Sequence, residues 1–296
     1  MNLSLAGVYP PMLTPFREDG KLDIDSHLYN MSRWNEAPLN GYLVLGSNSE
    51  TAYLTENEKL LLIEKSAEMV PSDRLLIAGT GMESTQETIS LTQKAAERGA
   101  KAALILTPFY YLGNMTDAAL TQHFLKIADA VDIPVLIYNV PKFAHINVSN
   151  GLLAALMDHP NIIGMKDSSG NIGQIIQYQS VIRNHFQLLA GTAAVWYPAL
   201  TLGINGGIMA LANIFPSECT HIQSMVKNGL WQDAELLYRK LYPVNHAITA
   251  TYGVAGLKYA ADLLGFKGGY VRSPLMQLND LQKQSIKEII NLTNLV

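Results

Sequence analysis

"NIIGMKDSSG", residues 161–170, is an apolar run that stops at Lys166 and passes at once into polar and glycine residues. A near-continuous apolar run of this kind reads as a parallel strand covered on both faces. An ammonium group at its end has two readings. Either the side chain reaches past the strand to water, or it stands at the mouth of a pocket and does chemistry. The fold decides between them, because only some sheets gather their strand ends at one site.

Seven further runs match the first: "GVYPPMLTPF" (7–16), "GYLVLGS" (41–47), "RLLIAGTG" (74–81), "AALILTPF" (102–109), "IPVLIYNVP" (133–141), "FQLLAGT" (186–192) and "GGIMALAN" (206–213). They recur every ~20 to 33 residues, the length of a strand, a helix and two loops. The segments between them carry helix punctuation. Thr55 with Glu58 and Ser84 with Glu87 have capping-box spacing, Gly99 follows "TQKAAER", and Pro160 follows "LLAALMDH". This pattern predicts an α/β fold, a (β/α)8 TIM barrel over residues 1–225. A C-terminal helical extension is expected over 226–296, where "LWQDAELLYRKLY", "GVAGLKYAADLLG" and "NDLQKQSIKEIINL" have helical character. The competing open, doubly wound sheet calls for a three-glycine fingerprint after its first strand. "GTGMES" supplies two of the three, after the third run.

Composition narrows the function. The chain has 296 residues, 48% hydrophobic and 16% charged, with a net charge of -4 and no basic run. A nucleic-acid or polyanion partner calls for a basic face, so none is expected. No stretch approaches the ~18 apolar residues of a membrane span. The first residues, "MNLSLAGVYPP", lack a basic leader and meet Pro10 and Pro11 early, so a cytoplasmic protein is expected. Cys219 is the single cysteine and reads as a buried, idle thiol on a helix. The seven histidines are dispersed, and neither a metal-ligand spacing nor a phosphate loop is present, so no metal or cofactor is expected.

In a (β/α)8 barrel the chemistry sits at the C-terminal strand ends. Those ends supply Ser47, Asn48 and Ser49; Thr107, Tyr110 and Tyr111; Tyr138 and Asn139; Lys166 and Asp167; Gly191 and Thr192; and Asn213. A lysine desolvated at the lip of an apolar barrel is driven toward the neutral amine. Neutral amine condenses with a ketone to a Schiff base, whose iminium withdraws electrons from an adjacent carbon–carbon bond. A tyrosine hydroxyl in contact moves protons. Hydroxyl groups and backbone N–H groups of a "GSNSE" turn suit a carboxylate. Taken singly, each motif also has an ordinary reading: "TPFYY" as aromatic packing at a rim, "GSNSE" as a plain turn.

Together, "GVYPPMLTPF", "GSNSE", "TPFYY", "YNVP", "GMKDSSG", "GGIMALANIFP" and "GLKYAADLLGF..GGYVRSPL" resemble the dihydrodipicolinate synthase/N-acetylneuraminate lyase superfamily of Schiff-base class I pyruvate aldolases. The likeness runs nearly the full chain, and it implies a lyase acting on a 2-oxo acid, with pyruvate as product or donor. It assigns Lys166 as the Schiff-base lysine, Tyr138 as general acid/base and Tyr110 as second tyrosine of the relay. Ser47 and Asn48 match the carboxylate-binding pair, and the Ile208 backbone matches the wall of the pyruvyl pocket. Ser49 stands where this loop commonly has glycine. The resemblance also implies a homo-oligomer, tetramer or dimer.

Three positions bear on specificity. Phe143 stands where synthases of the family place an arginine for the aldehyde substrate's carboxylate. Its neighbour Lys142 is the alternative cation. Gly191 opens the turn "GTAAV", where sialic acid lyases carry acidic residues. The motifs therefore look most like the branch of 4-hydroxy-2-oxoglutarate and 2-keto-3-deoxy sugar acid aldolases. Dihydrodipicolinate synthase is the alternative expectation, and a non-catalytic 2-oxo-acid binder the remote one.

Overall fold

The computed structural model of the chain describes residues 3–183 and 185–295. All eight expected strands form, as β1 (Gly7–Tyr9), β2 (Gly41–Val44), β3 (Leu75–Gly79), β4 (Ala102–Leu106), β5 (Val135–Asn139), β6 (Ile162–Asp167), β7 (Gln187–Ala190) and β8 (Gly206–Ile208). Their order is β1-β8-β7-β6-β5-β4-β3-β2, and every pair is parallel. This is a (β/α)8 barrel. The seam between β1 and β2 is closed by Leu43, whose N–H donates to the Pro10 carbonyl and whose carbonyl accepts from the Met12 N–H. Pro10 and Pro11 have no N–H to extend a ladder there, which confines β1 to three residues.

The strands are shorter than the apolar runs that announced them, because the turns after them are also buried. After β8 the chain enters a short 3-10 turn, Ala210–Asn213. The Asn213 amide stands in for a ladder: it accepts from the Leu13 N–H and donates to the carbonyls of Pro11 and Ala210.

Side-chain alternation divides the core in two. Leu43, Ile77, Leu104, Leu136, Tyr138 and Ile208 belong to a cluster inside the barrel. Val135, Ile137 and Met165 belong to the larger cluster between strands and helices. The helix starts follow the capping signals. Thr55 and Glu58 make a reciprocal capping box on helix Glu56–Met69. Ser84 accepts from the Glu87 N–H ahead of Thr85–Glu97.

Beyond the barrel lie helices Trp231–His246, Gly253–Leu263 and Asp280–Asn291. The expected border at 225 falls inside helix Pro216–Lys227. We propose the break at Asn228–Leu230 as the border instead. No helix among the described residues is long and apolar enough to cross a membrane.

Candidate active site

The register of β5 on β6 pairs Tyr138 with Lys166 and Asn139 with Asp167. Because strand residues alternate, the first pair points into the barrel and the second pair outward, beneath the helices. Lys166 is 3% exposed and Tyr138 is 7% exposed. The lysine Nζ lies 4.2 Å from the centre of the tyrosine ring. The Tyr138 hydroxyl is 3.3 Å from Ser47 Oγ. Burial pushes the Tyr138 phenol up, but the Lys166 charge and hydrogen bonding from Ser47, Ser168 and Lys166 outweigh it and hold the phenol below its ordinary value. A phenol so placed yields its proton more readily than one in water, which suits a group that must both give and take a proton.

These three side chains share a cavity of about 770 Å³, open at the C-terminal end of the barrel, with Asn48, Lys142, Phe143 and Gly191 also in its wall. Gly191 is there by necessity. A Cβ on it would stand 2.1 Å from Ser168 Oγ and 2.6 Å from the Asp167 carbonyl oxygen. Ile208 is fully buried in the barrel interior, in the same cluster as Tyr138, and is not one of the residues that line this cavity. Ser49 needs no glycine-like backbone: it sits in the 3-10 turn Ser47–Ser49, and its hydroxyl donates to the Met12 carbonyl at 2.6 Å. The left-handed residues of the loop are Leu45 (φ 60°) and Glu50 (φ 54°).

Thr192 also lines the cavity, whereas several other strand-end residues do not. Tyr110 is 76% exposed, packs edge to face on Tyr111, and within one chain lies outside the cavity wall. Asn139 and Asp167 are buried on the outer face, where Asn139 Nδ2 donates to Asp167 Oδ1 at 2.7 Å. Asp167 also accepts from the Ser169 hydroxyl, and Asn139 Oδ1 accepts from the Val148 N–H. Burial pushes the Asp167 carboxyl above its ordinary value, with the bonds from Ser169 and Asn139 opposing. This network ties the ends of β5 and β6 together one residue past the reactive pair. Asn213 is structural, as described above.

The sequence reading missed the roof. Helix Trp231–His246 contains Pro243 and runs into a π-helical turn, Ala247–Thr251, and both line the cavity together with Met276. Lys142 Nζ donates to the Thr249 carbonyl in this turn at 2.8 Å, so its charge is held at the roof. Asn245, also in the wall, has a buried Oδ1 with no hydrogen-bond partner among the described residues. The available signal was the stretch "PVNHAITATYG", where a proline and a glycine bracket small and β-branched residues between two helices.

Among the described residues, no group of three or more His, Cys, Asp or Glu side chains is placed to hold a metal ion. Cys219 is fully buried, and burial pushes its thiol up.

With this geometry in hand, relatives are informative. A family model described as the dihydrodipicolinate synthetase family matches residues 4–293. The chain is 33% identical over 287 residues to a 4-hydroxy-tetrahydrodipicolinate synthase of Methanoculleus marisnigri, a match covering 96% of this chain and 98% of that protein. It superposes with a TM-score of 0.94 and 26% identity on the chloride-inhibited dihydrodipicolinate synthase of Acinetobacter baumannii complexed with pyruvate, over 99% of this chain and 100% of that one. The dihydrodipicolinate synthase of Thermotoga maritima gives a TM-score of 0.93 at 27% identity, over 99% of both chains.

Proposed function

The chain belongs to the dihydrodipicolinate synthetase family, lyases of the class I aldolase type, and from that premise we propose that Lys166 forms a Schiff base with pyruvate. Lys166 Nζ attacks the pyruvate C2 carbonyl, water leaves, and an iminium results. Loss of a C3 proton gives an enamine that adds to an aldehyde carbon, and the reverse sequence cleaves the bond. Tyr138 carries the protons in these steps. Ser47 and Asn48 hold the pyruvate carboxylate, and the Ile208 backbone borders the pyruvyl group. One observation carries the reading: Lys166, Tyr138 and Ser47 meet in a single apolar-walled cavity. Incubation with pyruvate and borohydride tests it. A stable mass increase mapping to Lys166, lost in Lys166→Ala, is the expected result, and labelling that survives the substitution would remove the mechanism.

For the aldehyde, the names of the relatives support 4-hydroxy-tetrahydrodipicolinate synthase, condensing pyruvate with aspartate semialdehyde, over the aldolase branch that the motifs put first. Asn245 is then a polar group that the roof offers to the acceptor. A second reading, cleavage of 4-hydroxy-2-oxoglutarate or a 2-keto-3-deoxy sugar acid, keeps one specific observation in its favour. Phe143, 49% exposed in the cavity wall, has no guanidinium to offer a distal carboxylate, and Lys142 is engaged at the roof. A coupled assay for the cyclised product, run beside a pyruvate-release assay on both aldolase substrates, separates the two.

We also propose a homo-oligomer, dimer or tetramer. Phe109, Tyr110, Tyr111 and Leu112 form an exposed, mostly aromatic patch after β4. Tyr110 would join the proton relay through such a contact. Sedimentation of the wild type and of Tyr110→Ala tests the patch.

A further inference from the structure

The turn that carries Ser47 and Asn48 ends in an acidic residue that ought to work against it. Glu50 follows the 3-10 turn Ser47–Ser49 directly, its N–H donates to the Ser47 carbonyl, and it belongs to the cavity wall. Its carboxylate is fully buried. A buried anion beside the cavity repels an anionic substrate through a medium that screens it poorly. The C-terminal extension supplies the counter-charge. Lys258, on helix Gly253–Leu263, places Nζ 2.5 Å from Glu50 Oε1 and also donates to the Tyr270 carbonyl. The Arg272 N–H donates to Glu50 Oε2, but the Arg272 guanidinium is engaged elsewhere, on Glu58 and on the carbonyls of Gly20 and Tyr53. Lys258 is therefore the cation left for Glu50, and both cations rest over the Phe16 ring.

We propose that Lys258 determines pyruvate affinity without touching the substrate: it cancels the charge of Glu50 so that the turn Ser47–Asn48 presents donors, and no net negative charge, to the incoming carboxylate. The extension thereby completes a binding site whose contacting residues all lie on the barrel. This rests on the assignment of Ser47 and Asn48 as the carboxylate site.

The test compares Lys258→Met, Glu50→Gln and the double variant with the wild type, reading the pyruvate concentration that half-saturates borohydride trapping, and kcat at saturation. Lys258→Met leaves Glu50 uncompensated, so half-saturation should rise at least about ten-fold while kcat changes less than about three-fold. The double variant should return to within about three-fold of the wild type. Glu50→Gln alone, which keeps the shape of the side chain and removes the repelling charge, should not weaken pyruvate binding. A merely structural ion pair would lower the fraction of folded, trappable protein and leave half-saturation of that fraction unchanged, which would overturn the proposal. If Lys258→Met does not fold, Glu50→Gln and the double variant decide, and a half-saturation raised more than about three-fold in folded Glu50→Gln would equally overturn it. Failure of the wild type to trap pyruvate would remove both the proposed function and this inference, whereas normal trapping with unmoved half-saturation in Lys258→Met removes only the latter.

Discussion

Lys166 and Lys258 are two buried lysines, one in the cavity and one paired with Glu50, and the protein treats them differently. Lys258 has a carboxylate at 2.5 Å, a backbone carbonyl and an aromatic face. Burial pushes its amine down to about 8 even against the pull of Glu50. Lys166 is nearly as buried, yet among the described residues no carboxylate lies within ion-pair distance of it. Its close company is the face of Tyr138 and the cavity. A lysine kept for architecture is compensated wherever its charge falls, since an uncompensated buried charge is costly. A lysine left without an anionic partner in a cavity marks a place where some other molecule is meant to engage the amine.

The contrast breaks most sharply at Lys166. Lys166→Met should abolish pyruvate labelling and turnover, while urea unfolding shows stability unchanged or raised by up to about 2 kcal/mol, because an unpaired buried amine is replaced by an apolar chain of similar length. A large loss of stability would make Lys166 an architectural lysine after all. At Tyr138, the Phe variant keeps the ring under the amine and removes only the hydroxyl. Steady-state kinetics should show kcat lower by about 10²- to 10⁴-fold. An unchanged kcat would reassign Tyr138 to packing.

Lys258→Met should do the reverse of Lys166→Met to the fold. Breaking a buried pair from one side costs about 3–5 kcal/mol, so its urea midpoint should fall steeply. The smallest expected effect lies at the ion pair of Arg272 with Glu58. The Arg272 guanidinium holds the Glu58 carboxyl down at about 2, with burial opposing and the Thr55 N–H and hydroxyl assisting. A carboxyl depressed on folding stabilises above its unfolded value and loses that contribution as pH falls through the folded one. Glu58 should therefore contribute on the order of 1 kcal/mol once solvent screening is counted, present above pH ~4.5 and lost toward pH ~2. Glu58→Gln should flatten the acid limb of the stability curve over that window, as read by urea unfolding at stepped pH.

Much of this was legible because it is written locally. Parallel strands buried on both faces need continuous apolar runs, and "IIGMKDSS" and "IPVLIYNVP" have them, so β6 and β5 and their terminal residues could be named from the chain alone. The barrel then placed Lys166 and Tyr138 at one mouth. Asn139 and Asp167 were legible as strand-end residues but not as outward-facing ones. A single residue of alternation separates them from the reactive pair, and the end of the ladder determines which face each takes. Tyr110 carried the right motif and within one chain lies exposed, packed on Tyr111 and outside the cavity wall, although its neighbour Phe109 lines it.

The sequence by itself determined the fold class, the strand ends and the lysine, since each depends on the spacing of neighbouring residues and on the backbone limits of proline and glycine. Only the tertiary structure decided what surrounds them. The π-helical roof, the capture of Lys142 by Thr249, the clamp of Arg272 on Glu58 and the pairing of Glu50 with Lys258 join segments more than 100 residues apart. Such contacts have no periodic signature. They arise when barrel closure brings the C-terminal helices over the mouth, where an unpaired buried charge must find a partner in whatever segment the fold has placed beside it.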